Sequence, residues 1–172
     1  GGRLWKDVAG YDLTRLLTGS EGTLAVITEA TVALLPKPKE SGTGVAYFAS
    51  LADASRAVTA VIAAGIVPAT LEFLDHKCIA AVEEFAKLGL RLDAGALLLF
   101  GDDGEADAIA RNLDRIGAIC TEIGALEVTL AEDVARADAL LAARRCSLPA
   151  LSRLGPLTVL EDVTVPRHRL AE

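Results

Sequence analysis

Apolar and polar residues change rhythm repeatedly along this chain, and each change marks an element. Residues 45–49 form a short apolar run that reads as a strand. Ser50 then caps a predicted helix, with Asp53 favouring its positive end. Leu51, Ala54, Ala57, Val58, Val61 and Ile62 recur at helical spacing as far as Gly65. Residues 68–74 read as a second strand. Asp75 caps a second helix with Ile79, Val82, Phe85 and Leu88 on one face and Gly89 as its stop. Residues 96–100 are apolar at every position, as in a buried strand. Asp102, Asp103 and Glu105 load acid at the start of a third helix, whose Ile109, Leu113, Ile116, Cys120 and Ile123 share a face up to Gly124. Residues 126–130 alternate as a strand. A long helix from Glu132 to about Cys146 continues or kinks past Pro149 towards Leu154, and Gly155 and Pro156 break it. Residues 157–163 are the last predicted strand, ended by Pro166.

The first 38 residues follow another pattern. Asp12 before Leu13, Thr14, Arg15, Leu16 and Leu17 reads as an N-cap and one helical turn. The chain narrows to Gly19, Ser20, Glu21, Gly22 and Thr23, then enters residues 24–35, which are largely apolar on both faces. That run predicts a buried strand, or two strands bent near Glu29. Pro36 and Pro38 end it, because proline cannot donate to a ladder. Residues 37–44 gather Pro, Lys, Glu, Ser and Gly and read as a linker at a domain boundary. The glycine turn exposes amides in a short space and can receive a phosphate or the edge of a planar ring. Its plain reading is a hairpin or crossover turn.

Composition narrows the class. Of 172 residues 52% are apolar and 24% charged, so the chain is globular. A net charge of −7 argues against non-specific nucleic-acid binding, which needs a basic surface. The apolar runs are broken by Gly65 and Pro68 and are too short to span a bilayer. Cys78, Cys120 and Cys146 are widely spaced and odd in number. They read as small buried hydrophobes in a reducing cytoplasm rather than as a metal or redox site. No signal peptide is visible, and the chain starts at Gly1 without a methionine, so an excised piece of a longer cytoplasmic protein is expected.

From residue 44 on, strands and helices alternate. This admits an antiparallel, ferredoxin-like sheet with helices on one face, or a parallel doubly wound sheet. Three stretches add a resemblance. Asp12 to Thr14, Leu16, Gly19 to Leu24, Ile27 to Thr31 and Leu34 to Pro38 match the signature D-L-T-x-L-x-x-G-S-E-G-T-L-G-I-I-T-E-A-T-x-x-L-L-P-K-P, and the Lys6 to Leu13 run fits what precedes it. Leu71 to Asp75 match an E-F/L-M/L-D strand end, and Glu161 to Arg167 match E-D-V-x-V-P-R. Together they resemble the FAD-linked oxidases of the vanillyl-alcohol oxidase type, the glycolate oxidase FAD-binding subunits and D-lactate dehydrogenases above all. Ala25 stands where that signature has glycine. Leu141 stands where a W-x-x-R run has tryptophan before Arg144.

The resemblance implies an α+β fold: a ferredoxin-like cap, 44–172, truncated at its C-terminal end, preceded by a strand fragment closing an FAD-binding domain, 1–38. It implies FAD-dependent oxidation of a small 2-hydroxy acid to the 2-oxo acid. Gly19, Ser20, Glu21, Gly22, Thr23 and Ile27 would line the flavin nucleotide, and Arg144 would hold the substrate carboxylate. The catalytic base and any metal ligands would lie outside this chain, which stops before the family's later histidine-rich run. Without the pyrophosphate loops the piece alone is not expected to retain FAD. Its uncovered strand is expected to self-associate, and other oxidase subunits are further partners the family admits. A non-enzymatic ferredoxin-like module that binds a metabolite or pairs with itself is the alternative.

Competing readings attend each site residue. Arg144 could be a solvated arginine paired with an acid such as Asp138 or Glu161. Glu72 and Asp162 could form a carboxylate pair, or be a polar strand end and an orienter of Arg167. His76 and His168, far apart, give no metal signature.

Overall fold

The computed structural model describes residues 4, 6 and 8–171, so Asp7 of the Lys6 to Leu13 run lies outside the described residues. The chain divides into two compact units, Gly1–Lys37 and Pro38–Glu172.

In the first unit a single helical turn, α1 (Leu13–Leu17), forms where predicted, capped by the Asp12 carboxylate, which accepts from the Arg15 amide at 3.2 Å. The strand expected over residues 24–35 is not present. Residues 25–38 have no regular structure, and their apolar side chains are exposed, Leu35 at 89%. A strand is defined by a neighbour's hydrogen bonds, and among the described residues this stretch has no ladder partner.

The second unit contains strands β1 (Glu40–Phe48), β2 (Thr70–Asp75), β3 (Ala96–Gly104) and β4 (Glu127–Leu130). Its helices are α2 (Leu51–Ala63), α3 (His76–Ala86), α4 (Ala106–Ile123) and α5 (Val134–Leu151). Most of the caps read from sequence are found, but α3 ends at Ala86 with Lys87 as its left-handed cap, short of the expected stop at Gly89. The Ser50 hydroxyl accepts from the Asp53 amide, Asp75 from the Cys78 amide, and Gly124 ends α4 at φ 102°. Strand β1 starts earlier than predicted and takes in Glu40 to Gly44 of the expected linker, because β3 runs on to Gly104 and pairs with it throughout. Helix α5 passes through Pro149 and ends at Leu151.

The sheet order is β2-β3-β1-β4, and every neighbouring pair is antiparallel. β1-α2-β2 and β3-α4-β4 are therefore interleaved crossover units, the ferredoxin-like arrangement. The helices do not keep to one face as expected. Ala46, Phe48, Leu98 and Phe100 face a core with residues of α2 and α4. Val45, Tyr47, Leu97 and Leu99 face a second core with residues of α3 and α5. The cause is legible in residues 96–100: a central strand apolar at every position must be covered on both sides. The expected strand over 157–163 is also absent, its Leu157 79% exposed. Both sheet edges, β2 and β4, are left without it.

Cys78 and Cys120 are buried, Cys146 is half-buried, and all three are free thiols. Burial of Cys120 in α4 pushes its pKa up from 9.0 to about 12. Below pH 9 the thiol is neutral in both folded and unfolded chains and pH has no effect through it. Between 9 and 12 only the unfolded chain ionises, so stability falls by about 1.36 kcal/mol per pH unit as pH rises. Denaturant titrations from pH 8 to 10.5 are expected to show this loss, and Cys120→Val to reduce the slope. An unchanged slope in the variant would place the alkaline loss elsewhere.

Candidate functional site

The first cluster of predicted site residues is the turn after α1. Gly19 and Gly22 have φ of 85° and 78°, and Glu21 between them has φ 49°. Glycine adopts such values without strain, so the turn is held by its residue types. The Ser20 amide donates to the Leu17 carbonyl at 3.1 Å, and the Thr23 amide to the Ser20 carbonyl at 2.9 Å. The Thr23 hydroxyl donates to that same carbonyl at 2.6 Å. Among the described residues no partner engages the amides of Glu21 and Gly22 or the Ser20 hydroxyl. Two adjacent unengaged amides beside a hydroxyl are a donor set that fits a phosphate oxygen or the carbonyl edge of a flavin. The turn is exposed apart from half-buried Ser20, and Ile27 beyond it is 67% exposed. The turn supplies contacts and no enclosure.

The second is Arg144 on α5. Leu140 and Ala143 are buried against the sheet, and Arg144, four residues after Leu140, flanks that stripe. Its side chain is 58% exposed and its Nε donates to Oε2 of Glu72 on β2, whose side chain is 40% exposed. The register explains the meeting. Glu72 lies opposite Leu99, so it projects to the face that α5 covers, while Leu71 and Phe73 pack on the other core. No other side-chain hydrogen bond among the described residues engages the Arg144 guanidinium, so the terminal Nη1/Nη2 fork is open. Asp138, the acid expected to compete for it, serves Arg145 instead, at 3.7 Å from its Nη2. The two arginines point to different partners, as one helical step between them requires.

The Glu72–Arg144 pair was not read from the sequence. The signal was present: a carboxylate inside the otherwise apolar run of β2 needs a cation or solvent. No hydrogen bond joins Glu72 to Asp162, which lies in the exposed stretch before the short 3-10 turn Arg167–Arg169. His76 is on the surface, its Nδ1 3.0 Å from the Ala94 carbonyl. Among the described residues no three His, Cys, Asp or Glu side chains gather as a metal site. None of the described helices is long and apolar enough to cross a membrane.

The family model for FAD linked oxidases, C-terminal domain, matches residues 37–172. The chain belongs to this family. Glycolate oxidase subunit GlcD of Bacillus subtilis is 49% identical over 171 residues, which cover 99% of this chain and 36% of that protein. Glycolate oxidase subunit GlcD of Escherichia coli K12 is 41% identical over 95% of this chain and 33% of its own length. A D-lactate dehydrogenase of Anaerostipes hadrus is 29% identical, with 38% of its length covered. The chain thus spans about a third of the length of these relatives. Alkyldihydroxyacetonephosphate synthase superposes with a TM-score of 0.60 at 18% identity over 87% of this chain and 31% of that one, a likeness of fold.

For an FAD-linked oxidase domain, two departures bear on the site. Leu141, in the place of tryptophan, is half-buried and packs against the α3/α5 core. A large aromatic there would have to find room in that core or project beside Arg144. Ala25, in the place of glycine, is exposed just after the turn.

Proposed function

We propose that this chain is the junction and cap region of an FAD-dependent oxidoreductase that oxidises a small 2-hydroxy acid, of the glycolate or D-lactate type, to the 2-oxo acid. The strongest support is the 49% identity, over nearly all of the chain, to a protein named as a glycolate oxidase subunit. On this reading residues 1–38 close the FAD-binding domain and 44–172 form the cap. The amides and hydroxyls of Gly19 to Thr23 hold the flavin nucleotide, with Ile27 against it. Arg144 grips the substrate carboxylate through its open fork, because a guanidinium matches a carboxylate with two parallel bonds. Bound FAD would accept the hydride from the α-carbon. The proton from the hydroxyl goes to a base outside this chain. An acidic protein needs such a local cation, since its overall field opposes an anionic substrate. The relatives' names as subunits make other oxidase subunits the natural protein partners, and three free thiols favour a reducing, cytoplasmic setting. The ferredoxin-like fold alone would serve a non-enzymatic module equally well. Family membership favours the enzyme.

The test compares two purified proteins. The complete reading frame is expected to be yellow and to bleach anaerobically on adding glycolate or D-lactate. Residues 1–172 alone are expected to be colourless and to release no flavin on denaturation, because an exposed turn gives too few contacts to retain a dinucleotide. A complete protein that binds no flavin, or that is not reduced by any 2-hydroxy acid, would remove the proposal.

A further inference from the structure

We propose that Glu72 is a positioning residue that presents the Arg144 fork to the substrate carboxylate. The inference rests on the reading of Arg144 given above and adds a second residue to that site. A guanidinium has two edges that can take a carboxylate: the side edge at Nε and the end edge at Nη1 and Nη2. Glu72 occupies the side edge. What remains is the end edge. An arginine on an exposed helix face otherwise samples many rotamers, and ordering it would count against substrate binding.

The two residues are far apart in sequence and come from different elements, an edge strand and a helix on the same face of the sheet. β2 is fixed by its pairing with β3 from Thr70↔Gly101 to Asp75↔Ala96, so the carboxylate is held by the ladder. Leu74, two residues on, packs into the α3/α5 core on the same face, which fixes the strand against those helices. Arg145, by contrast, is tied to Asp138 of its own helix, a local pair that positions nothing across elements. Glu72 also balances the charge of Arg144 when no substrate is bound, leaving the pair neutral until an anion arrives.

Steady-state kinetics of the complete enzyme test the assignment. Glu72→Ala is expected to raise KM for the hydroxy acid about fivefold, the upper end for a partly exposed ion pair, with kcat changed less than about twofold. Glu72→Gln keeps an acceptor for Nε and is expected to recover most of the loss. In an Arg144→Ala background, Glu72→Ala should have no further effect, because there is nothing left to position. Unfolding midpoints of the variants report any structural cost separately. If Arg144→Ala itself leaves KM and kcat unchanged, the substrate-site reading fails. If Arg144→Ala is damaging but Glu72→Ala leaves KM unchanged, or lowers it because Glu72 was competing with substrate, positioning by Glu72 is overturned while the Arg144 reading stands. An effect of Glu72→Ala that persists in full without Arg144 would also overturn it.

Discussion

Arg144→Ala in the complete enzyme is expected to lower kcat/KM for the 2-hydroxy acid by about 30-fold or more. Removing one member of a hydrogen-bonded, desolvated charge pair costs roughly 2–5 kcal/mol, and each 1.36 kcal/mol is tenfold in rate. In the chain alone the arginine is open to water, and its pairing with Glu72 would be worth little by itself. The larger cost applies once a substrate carboxylate and the fork are enclosed together, where water no longer competes. Arg144→Lys is expected to recover only part, since an ammonium keeps the charge but cannot span two carboxylate oxygens. Arg145→Ala is the control. Its guanidinium is directed to the Asp138 carbonyl and carboxylate, and the variant should stay within about threefold of the parent, the range of most surface changes. Equal losses at both positions would mean that α5 tolerates no change on that face, and the assignment to Arg144 would fall.

How much of this was legible in the sequence depends on where each residue finds its partner. Helices α2, α3 and α4 could be read because an apolar face and at least one end signal lie within one short stretch. Ser50 with Asp53 and the glycine at 124 are examples. Residues 96–100 could be read as buried from their own composition, and their two apolar faces are what place helices on both sides of the sheet. The stretches 24–35 and 157–163 have strand composition, but a ladder needs a second strand, and among the described residues none pairs with them. The pattern reports what a segment can do, and pairing decides whether it does. The same limit hid the Glu72–Arg144 pair. Each residue is unremarkable in its own window, and only the β2–β3 register and the placing of α5 over that face bring them together. The glycine turn is the opposite case: its positive φ values follow from the residue types at 19 and 22.

Gly95→Ala is expected to destabilise the second unit by about 3 kcal/mol or more, at or beyond the usual upper end for overpacking a core. A Cβ at this position would lie 2.1 Å from the Ala49 carbonyl oxygen and 2.7 Å from its carbon. Those atoms are backbone, so no side chain can rotate away. They belong to the junction between β1 and α2, next to the Ser50 cap. The Gly95 amide donates to the Phe48 carbonyl at 2.8 Å, which pins the two segments together at the point where the methyl would part them. Ala94 and Ala96 on either side are 1% and 0% exposed, so the chain has no slack there. The loss of unfolded-chain freedom on replacing glycine favours the variant by at most about 1 kcal/mol and does not offset the clash. Denaturant unfolding of residues 1–172 should show a lower midpoint, or the variant should fail to accumulate as folded protein. Gly155→Ala is the matched control: its nearest foreign atom is the Leu157 carbonyl oxygen at 3.9 Å, an ordinary contact, and its midpoint should not move. Gly95 also governs the site. Asp75 pairs with Ala96 and Glu72 with Leu99, so displacing the start of β3 moves β2 and with it the carboxylate that holds Arg144. A variant that survives folding should therefore show a raised KM in the complete enzyme. A Gly95→Ala protein with the parent's midpoint and the parent's KM would show that β1, β3 and the α2 cap are not locked together as the structure has them.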